Sequence, residues 1–148
     1  MMSSVNHLVR SSAAEEGVAI LVTCEWAILC DRAYYDSKGK LSILGVVQEI
    51  EVQSFPAVRP QMAVAMKLIG EPHDSGQVTL EFRNSDGTLL IETPPKTFTL
   101  GPTGGTHFIY QVNHLVLTGP GLHSANVRLD GSLARTCTLV VLQKALFR

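Results

Sequence analysis

Val78-Thr79-Leu80-Glu81-Phe82-Arg83-Asn84-Ser85-Asp86-Gly87-Thr88-Leu89-Leu90-Ile91 alternates apolar and polar side chains, turns at an Asp-Gly pair, and resumes as an apolar run. A period of two puts Val78, Leu80 and Phe82 on one face of a strand and Thr79, Glu81 and Arg83 on the other. Asp-Gly tolerates the positive φ angles of a tight hairpin, so the stretch reads as two strands joined by a turn. The signal recurs at Val127-Arg128-Leu129-Asp130-Gly131, ahead of the apolar run 139–142. Such hairpins define an all-β chain and carry no chemistry.

Working outward, strand candidates arrive at the spacing of a sandwich. Residues 19–34 form the first, with a break near Glu25 and Trp26. The turn Asp36-Ser37-Lys38-Gly39 leads into 41–52, where Gly45 reads as a bulge. Residues 55–60 are a proline-bounded crossover, and 62–69 alternates Met62, Val64, Met66 and Leu68 against Ala63, Ala65 and Lys67. Pro94-Pro95 ends the hairpin's second strand, because proline has no ladder donor. Strand 107–117, the turn Thr118-Gly119-Pro120-Gly121, and strands 122–130 and 132–143 complete the set. The expected fold is a single antiparallel β-sandwich of about eight strands, immunoglobulin-like or jelly-roll-like. It spans residues 18–148 behind a polar, flexible N-terminal arm at 1–17, with a helical turn around residues 13–16.

Composition narrows the function. The chain has 148 residues, 45% apolar and 17% charged, with 12 basic and 13 acidic side chains and a net charge of −1. No basic cluster is available to neutralise phosphates, which argues against a nucleic-acid partner. Charge well below the ~25% average of globular chains favours an interface. The apolar segment 17–30 follows Glu15 and Glu16, contains Glu25, and lacks a small-residue cleavage site, so it reads as neither signal peptide nor membrane span. Cys24, Cys30 and Cys137 are odd in number. Cys24 and Cys30, six apart on one strand, lie ~20 Å from each other and cannot bond. They read as small buried side chains in a reducing cytoplasm.

The segments Leu29-Cys30-Asp31-Arg32-Ala33-Tyr34, Gly39-Lys40-Leu41-Ser42-Ile43-Leu44-Gly45 and Phe55-Pro56-Ala57 resemble the opening of an uncharacterised bacterial family of small β-sandwich proteins. Ser85-Asp86-Gly87, Gly119-Pro120-Gly121 and Leu129-Asp130-Gly131 fit the same family's second half. The resemblance covers about residues 26–142. It implies architecture only, since the family has no assigned reaction. Where its pattern has Gly-x-Tyr-x-Phe, this chain has Gly121, His123 and Ala125, which implies repacking or a less buried strand.

Candidate chemistry is sparse. The histidines are His7, His73, His107, His114 and His123. A hairpin through 118–121 would set His123 opposite Val116, with His114 diagonal on the same face, in reach of a shared metal or hydrogen bond. Two imidazoles are half of a zinc site, and ordinary half-buried or surface histidines are the plainer reading. Gly101-Pro102-Thr103-Gly104-Gly105-Thr106 has the glycines of a phosphate loop without its lysine or helix, and reads as a flexible connection. Asp31, Asp36, Asp86 and Asp130 sit where aspartate forms turns. No Gly-x-Ser-x-Gly elbow frames a nucleophile.

Strand 109–117 carries apolar residues at both parities: Ile109, Leu115 and Leu117 at one, Phe108, Tyr110, Val112 and Val116 at the other. This pattern, with Leu139 to Leu142 behaving similarly, suggests a covered second face. The expectation is a non-enzymatic binding or assembly module in the cytoplasm that self-associates through this strand. No catalytic, cofactor or metal residue is assigned, and neither nucleic acid nor membrane is expected as a partner. A small-ligand or carbohydrate-binding sandwich is the alternative, and an enzyme or metal site around His114 and His123 comes third.

Overall fold

The computed structural model describes residues 21–144; the arm at 1–17, its helical turn, His7 and the start of the first strand lie outside the described residues. Ten strands follow one another among the described residues: β1 (Thr23–Tyr35), β2 (Leu41–Val46), β3 (Glu49–Val52), β4 (Ala57–Ile69), β5 (Ser75–Arg83), β6 (Leu89–Glu92), β7 (Lys96–Thr99), β8 (Gly105–Leu117), β9 (Gly121–Leu129) and β10 (Ser132–Gln143). No helix occurs among the described residues. One sheet has the order β2-β1-β4-β8 and the other β3-β10-β9-β5-β6, with β7 also paired to β5. The two sheets share one apolar core, in which Met62, Met66 and Leu68 of the first meet Leu80, Val127, Leu129 and Val141 of the second.

The opening stretch folds as its pattern requires. Val78, Leu80 and Phe82 are buried. In the turn, Asn84 Oδ1 accepts from the amides of Asp86 and Thr88, and Gly87 takes φ +89°. Asp130 and Gly131 also adopt positive φ between β9 and β10. β1 is irregular between Cys24 and Trp26, near the expected break. Beyond β6, Thr93 carries the ladder across the Pro94-Pro95 interruption: its amide donates to Leu80 O (2.9 Å) and its hydroxyl oxygen accepts from Leu80 N (2.8 Å). β7 then resumes pairing along the same edge of β5.

Several expectations are corrected. The strands are not all antiparallel, because β3 runs parallel to β10, from Val140↔Glu49 to Gln143↔Val52. Residues 41–52 are two strands in different sheets; the chain changes layer at Val47 and Gln48. Gly45 takes φ +69° without a bulge, since Cys30↔Val46 and Arg32↔Leu44 keep one register on either side of it. The crossover at 55–60 is already strand from Ala57, which pairs with Leu117. β8 and β9 form no hairpin: β8 pairs with β4, and β9 with β5 and β10. The three residues 118–120 instead carry the chain from one sheet to the other.

The two-faced pattern of β8 has a local origin. Tyr110 and Val112 are buried, and so are Leu115 and Leu117. His114, between the two pairs, takes φ +62° and is exposed. A left-handed residue shifts the alternation by one, so both pairs enter the same core. The β4 ladder is unbroken across it, from Gln61↔Asn113 to Arg59↔Leu115, with Pro60 opposite. Leu115, expected on an outer face, is core at 1% exposure. Leu139 and Val141 likewise point inward while Val140 and Leu142 stay exposed.

The β1–β2 hairpin doubles back. Register places Trp26, Lys67 and His107 in one row across β1, β4 and β8, then Ile28, Ala65 and Ile109, then Cys30, Ala63 and Gln111. These rows face away from the core residues Leu29, Val64 and Met66. In an extended strand Tyr35 would lie about 30 Å beyond Trp26. Instead Tyr35 Oη donates to His107 O (3.0 Å), and the His107 ring lies 5.7 Å from that of Trp26. The hairpin therefore covers the outer face of the four-stranded sheet, and Cys30, Ala63 and Ala65 are buried beneath it.

Candidate functional site

Aspartates and glycines at the turns are committed to backbone. Asp36 Oδ1 accepts from Lys38 N and Lys40 N, and Asp130 Oδ1 from Gln77 N (2.9 Å). Thr88 bonds to Asp86, which lowers its carboxyl below the usual range. The glycine loop at 101–106 is pinned: Gly101 N donates to Gly105 O, Gly104 N to Gly101 O, and Gly70 N to Gly104 O. A Cβ on Gly104 would lie 2.4 Å from Gly70 O. The loop is a packed turn against 70–74 rather than an anion cradle.

His114 and His123 are not brought together. His114 is exposed on β8, whereas His123 is buried in the other sheet, with Nδ1 2.9 Å from Gly121 O and Nε2 without a partner among the described residues. Strand β9 at Gly121, His123 and Ala125 is thus no less buried for lacking aromatics. No group of three or more potential metal ligands occurs among the described residues. His73 sits at φ +67° in a surface loop.

All three thiols are free. Burial pushes Cys24 up to about 11 and raises Cys30 and Cys137 as well. Thiols so shifted are weak nucleophiles. Cys137 Sγ lies 3.5 Å from Ala27 O, and Arg135 donates to the carbonyls of Cys24 and Glu25 (2.9 and 2.7 Å). These two side chains stand in for a neighbouring strand where β1 is no longer paired to β2.

On the outer face of the larger sheet, Glu81 is buried beneath its partners. Arg83 Nη2 donates to Oε2 (3.0 Å), while Asn126 Nδ2 and Arg128 Nη2 donate to Oε1 (3.1 and 3.3 Å). Thr136 Oγ1 donates to Asn126 Oδ1 (2.8 Å), completing a chain across three strands. The Arg83 hydrogen bond is the main cause that holds the Glu81 carboxyl down at about 2. The network is satisfied within itself and offers no free acid or base.

The remaining candidate is one end of the molecule. Of the eleven large apolar side chains left exposed among the described residues, eight lie on strand segments toward the end where β9 begins and β10 ends, spread over the outer faces of both sheets. Leu122 and Val140 are direct partners there, with Leu142 two residues on. Val58 and Val116 pair on the facing sheet. Leu44 and Val46 flank the hairpin's base, and Leu89 opens β6 beside Arg83. Between the sheets at this end is a cleft of about 520 Å³, with Ile50, Ala57 and Leu117 along it and Arg32, Glu51 and the Asp31–Arg59 pair at its rim. Arg59 Nη2 donates to Asp31 Oδ1 (2.6 Å). Sequence reasoning missed this end, because the residues are spread over the ends of six strands.

Fold and surface together define a small two-sheet β domain with exposed apolar side chains toward one end. The chain belongs to the family of unknown function DUF6941, whose model matches residues 25–142. No curated protein matches it. Among solved structures it is similar to the Pseudomonas fluorescens alkylpurine DNA glycosylase AlkC bound to DNA containing an abasic site analog, at 13% identity and TM-score 0.54 over 82% of this chain and 30% of that one. It is also similar to the β-glucosidase EmGH1 from Erythrobacter marinus, at 11% identity and TM-score 0.52 over 84% of this chain and 16% of that one. The chain spans less than a third of either protein. At such identities the likeness is one of fold alone.

Proposed function

We propose that this chain is a non-enzymatic binding or assembly module that self-associates through its apolar pole. The exposed apolar side chains toward this end, Leu122 beside Val140 and Leu142 above all, carry the reading, since monomers seldom leave large apolar patches in water. A second copy is the favoured occupant because the rim carries both signs, Arg32 and Arg59 with Asp31 and Glu51. A two-fold interface needs a surface complementary to itself, and a mixed rim meets that need. Three thiols without a disulfide support a cytoplasmic setting. No helix among the described residues is long and apolar enough to cross a membrane. Strand order supports an immunoglobulin-like sandwich over a jelly roll: β1-β4-β8 follows the A-B-E order and β10-β9-β5 the G-F-C order. Replacing Leu122, 59% exposed, by Glu should lower the solution mass measured by light scattering to that of one chain while the strand spectrum persists. An unchanged multimer would remove the pole from the interface. The cleft favours a second reading, a small-ligand or carbohydrate-binding sandwich, in which the wild type is monomeric and the cleft is the site.

A further inference from the structure

The folded-back β1–β2 hairpin does more than shield small residues. Between its tip and the sheet lies an open groove of about 510 Å³, on the face opposite the core and away from the apolar pole's cleft. Its walls are Trp26, Ile28, Leu41, Ile43 and His107, with Lys40 the only ammonium along it. None of the lining residues bears a carboxylate, and nearby Glu25 is engaged by Lys67 at 3.3 Å. The volume falls within the range of ligand pockets, which are mostly apolar with a few placed polar groups.

The cover has a bend and a latch. Gly45, at φ +69°, stands opposite Asp31, and a Cβ there would lie 2.3 Å from Asp31 Oδ2. The Arg59 pair holds that carboxylate in place at the bend. Beyond it, the hydrogen bond from Tyr35 to His107 O, exposed to water, ties the hairpin to the sheet.

We propose that this groove is a binding site for a small amphipathic anion, a flat apolar body with one negative charge, and that the hairpin is the flap which closes over it. The ring pair and aliphatic walls take the apolar body, and Lys40 meets the charge. The site is independent of self-association at the pole.

Trp26 is the single tryptophan of the chain, so it reports on the groove directly. The probe is 1-anilinonaphthalene-8-sulfonate. Saturable binding at one site per chain is expected, with energy transfer from Trp26. Lys40→Gln should weaken it at least fivefold, Ile28→Phe should abolish it by filling the space, and Leu122→Glu should leave it unchanged. The uncharged N-phenyl-1-naphthylamine should bind at least fivefold more weakly. Opening is read from Cys30, alkylated with N-ethylmaleimide and located by peptide mass spectrometry. Tyr35→Phe should raise its labelling rate at least fivefold with Cys24 unchanged, and saturating probe should slow it. Absence of transfer from Trp26, equal affinity for the uncharged probe, or indifference to Lys40→Gln and Ile28→Phe overturns the site. Cys24 accelerating together with Cys30 overturns the flap.

Discussion

Replacing Glu81 by Gln should cost about 2 kcal/mol at neutral pH and remove one component of acid sensitivity. In the folded chain the Glu81 carboxyl is lowered from 4.5 to about 2, chiefly by the Arg83 hydrogen bond and then by Asn126 and Arg128. A depression of about two and a half pH units corresponds to ~3.4 kcal/mol of preference for the charged form. Water around Arg83 and Arg128, whose side chains are 37% and 29% exposed, screens part of this, which leaves ~2 kcal/mol. The sign follows from a folded value below the unfolded one. The stabilisation is complete above the ordinary carboxylate range and is lost as pH falls from about 4.5 toward 2. Urea unfolding of wild type and Glu81→Gln at matched pH isolates it, because the other carboxylates cancel in the difference. That difference should be ~2 kcal/mol at pH 7 and shrink toward zero near pH 2. A constant offset across this window, or none at pH 7, would refute the charge-assisted network.

Two packing predictions accompany it. Gly45→Val combines a left-handed φ with a Cβ only 2.3 Å from Asp31 Oδ2, and should cost at least ~2 kcal/mol in urea unfolding; an unchanged midpoint would mean the hairpin bends elsewhere. Leu115→Ala should cost ~2–5 kcal/mol, as for a buried core leucine. A loss below ~1 kcal/mol would put Leu115 on an outer face and dismiss the shift at His114.

The local elements were legible because their causes are local. Asn84, Asp86 and Gly87 specify a turn between alternating strands, and Asp130-Gly131 does the same, so both hairpins are written in adjacent residues. The alternation of β8 was legible too, but its phase was not. A strand with two parities of apolar residues looks the same whether both faces are covered or one residue inverts the backbone. The available signal was Asn113-His114, two successive polar residues of types that tolerate positive φ, interrupting an otherwise apolar run. Pairings that no turn enforces, such as β3 beside β10, left no mark. Nor did the layer change at Val47 and Gln48, where an apolar-to-polar step looks like ordinary alternation. The folded hairpin did leave one: Cys30, Ala63 and Ala65 are small side chains at outward positions, where a solvent face would carry longer polar ones. The apolar pole was illegible because β2, β4, β6, β8, β9 and β10 contribute one or two residues each, and only the topology tells which strand ends meet.

The most direct test of association at the pole is amide hydrogen exchange of the wild-type chain at about 1 and about 100 µM, since mass action populates an associated form at the higher concentration. Self-association through this end predicts added protection at 117–122 and 140–142 in the concentrated sample, with the opposite end around 75–78 and 129–132 unchanged. Exchange that is identical at both concentrations, or protection gained only at the opposite end, would contradict it.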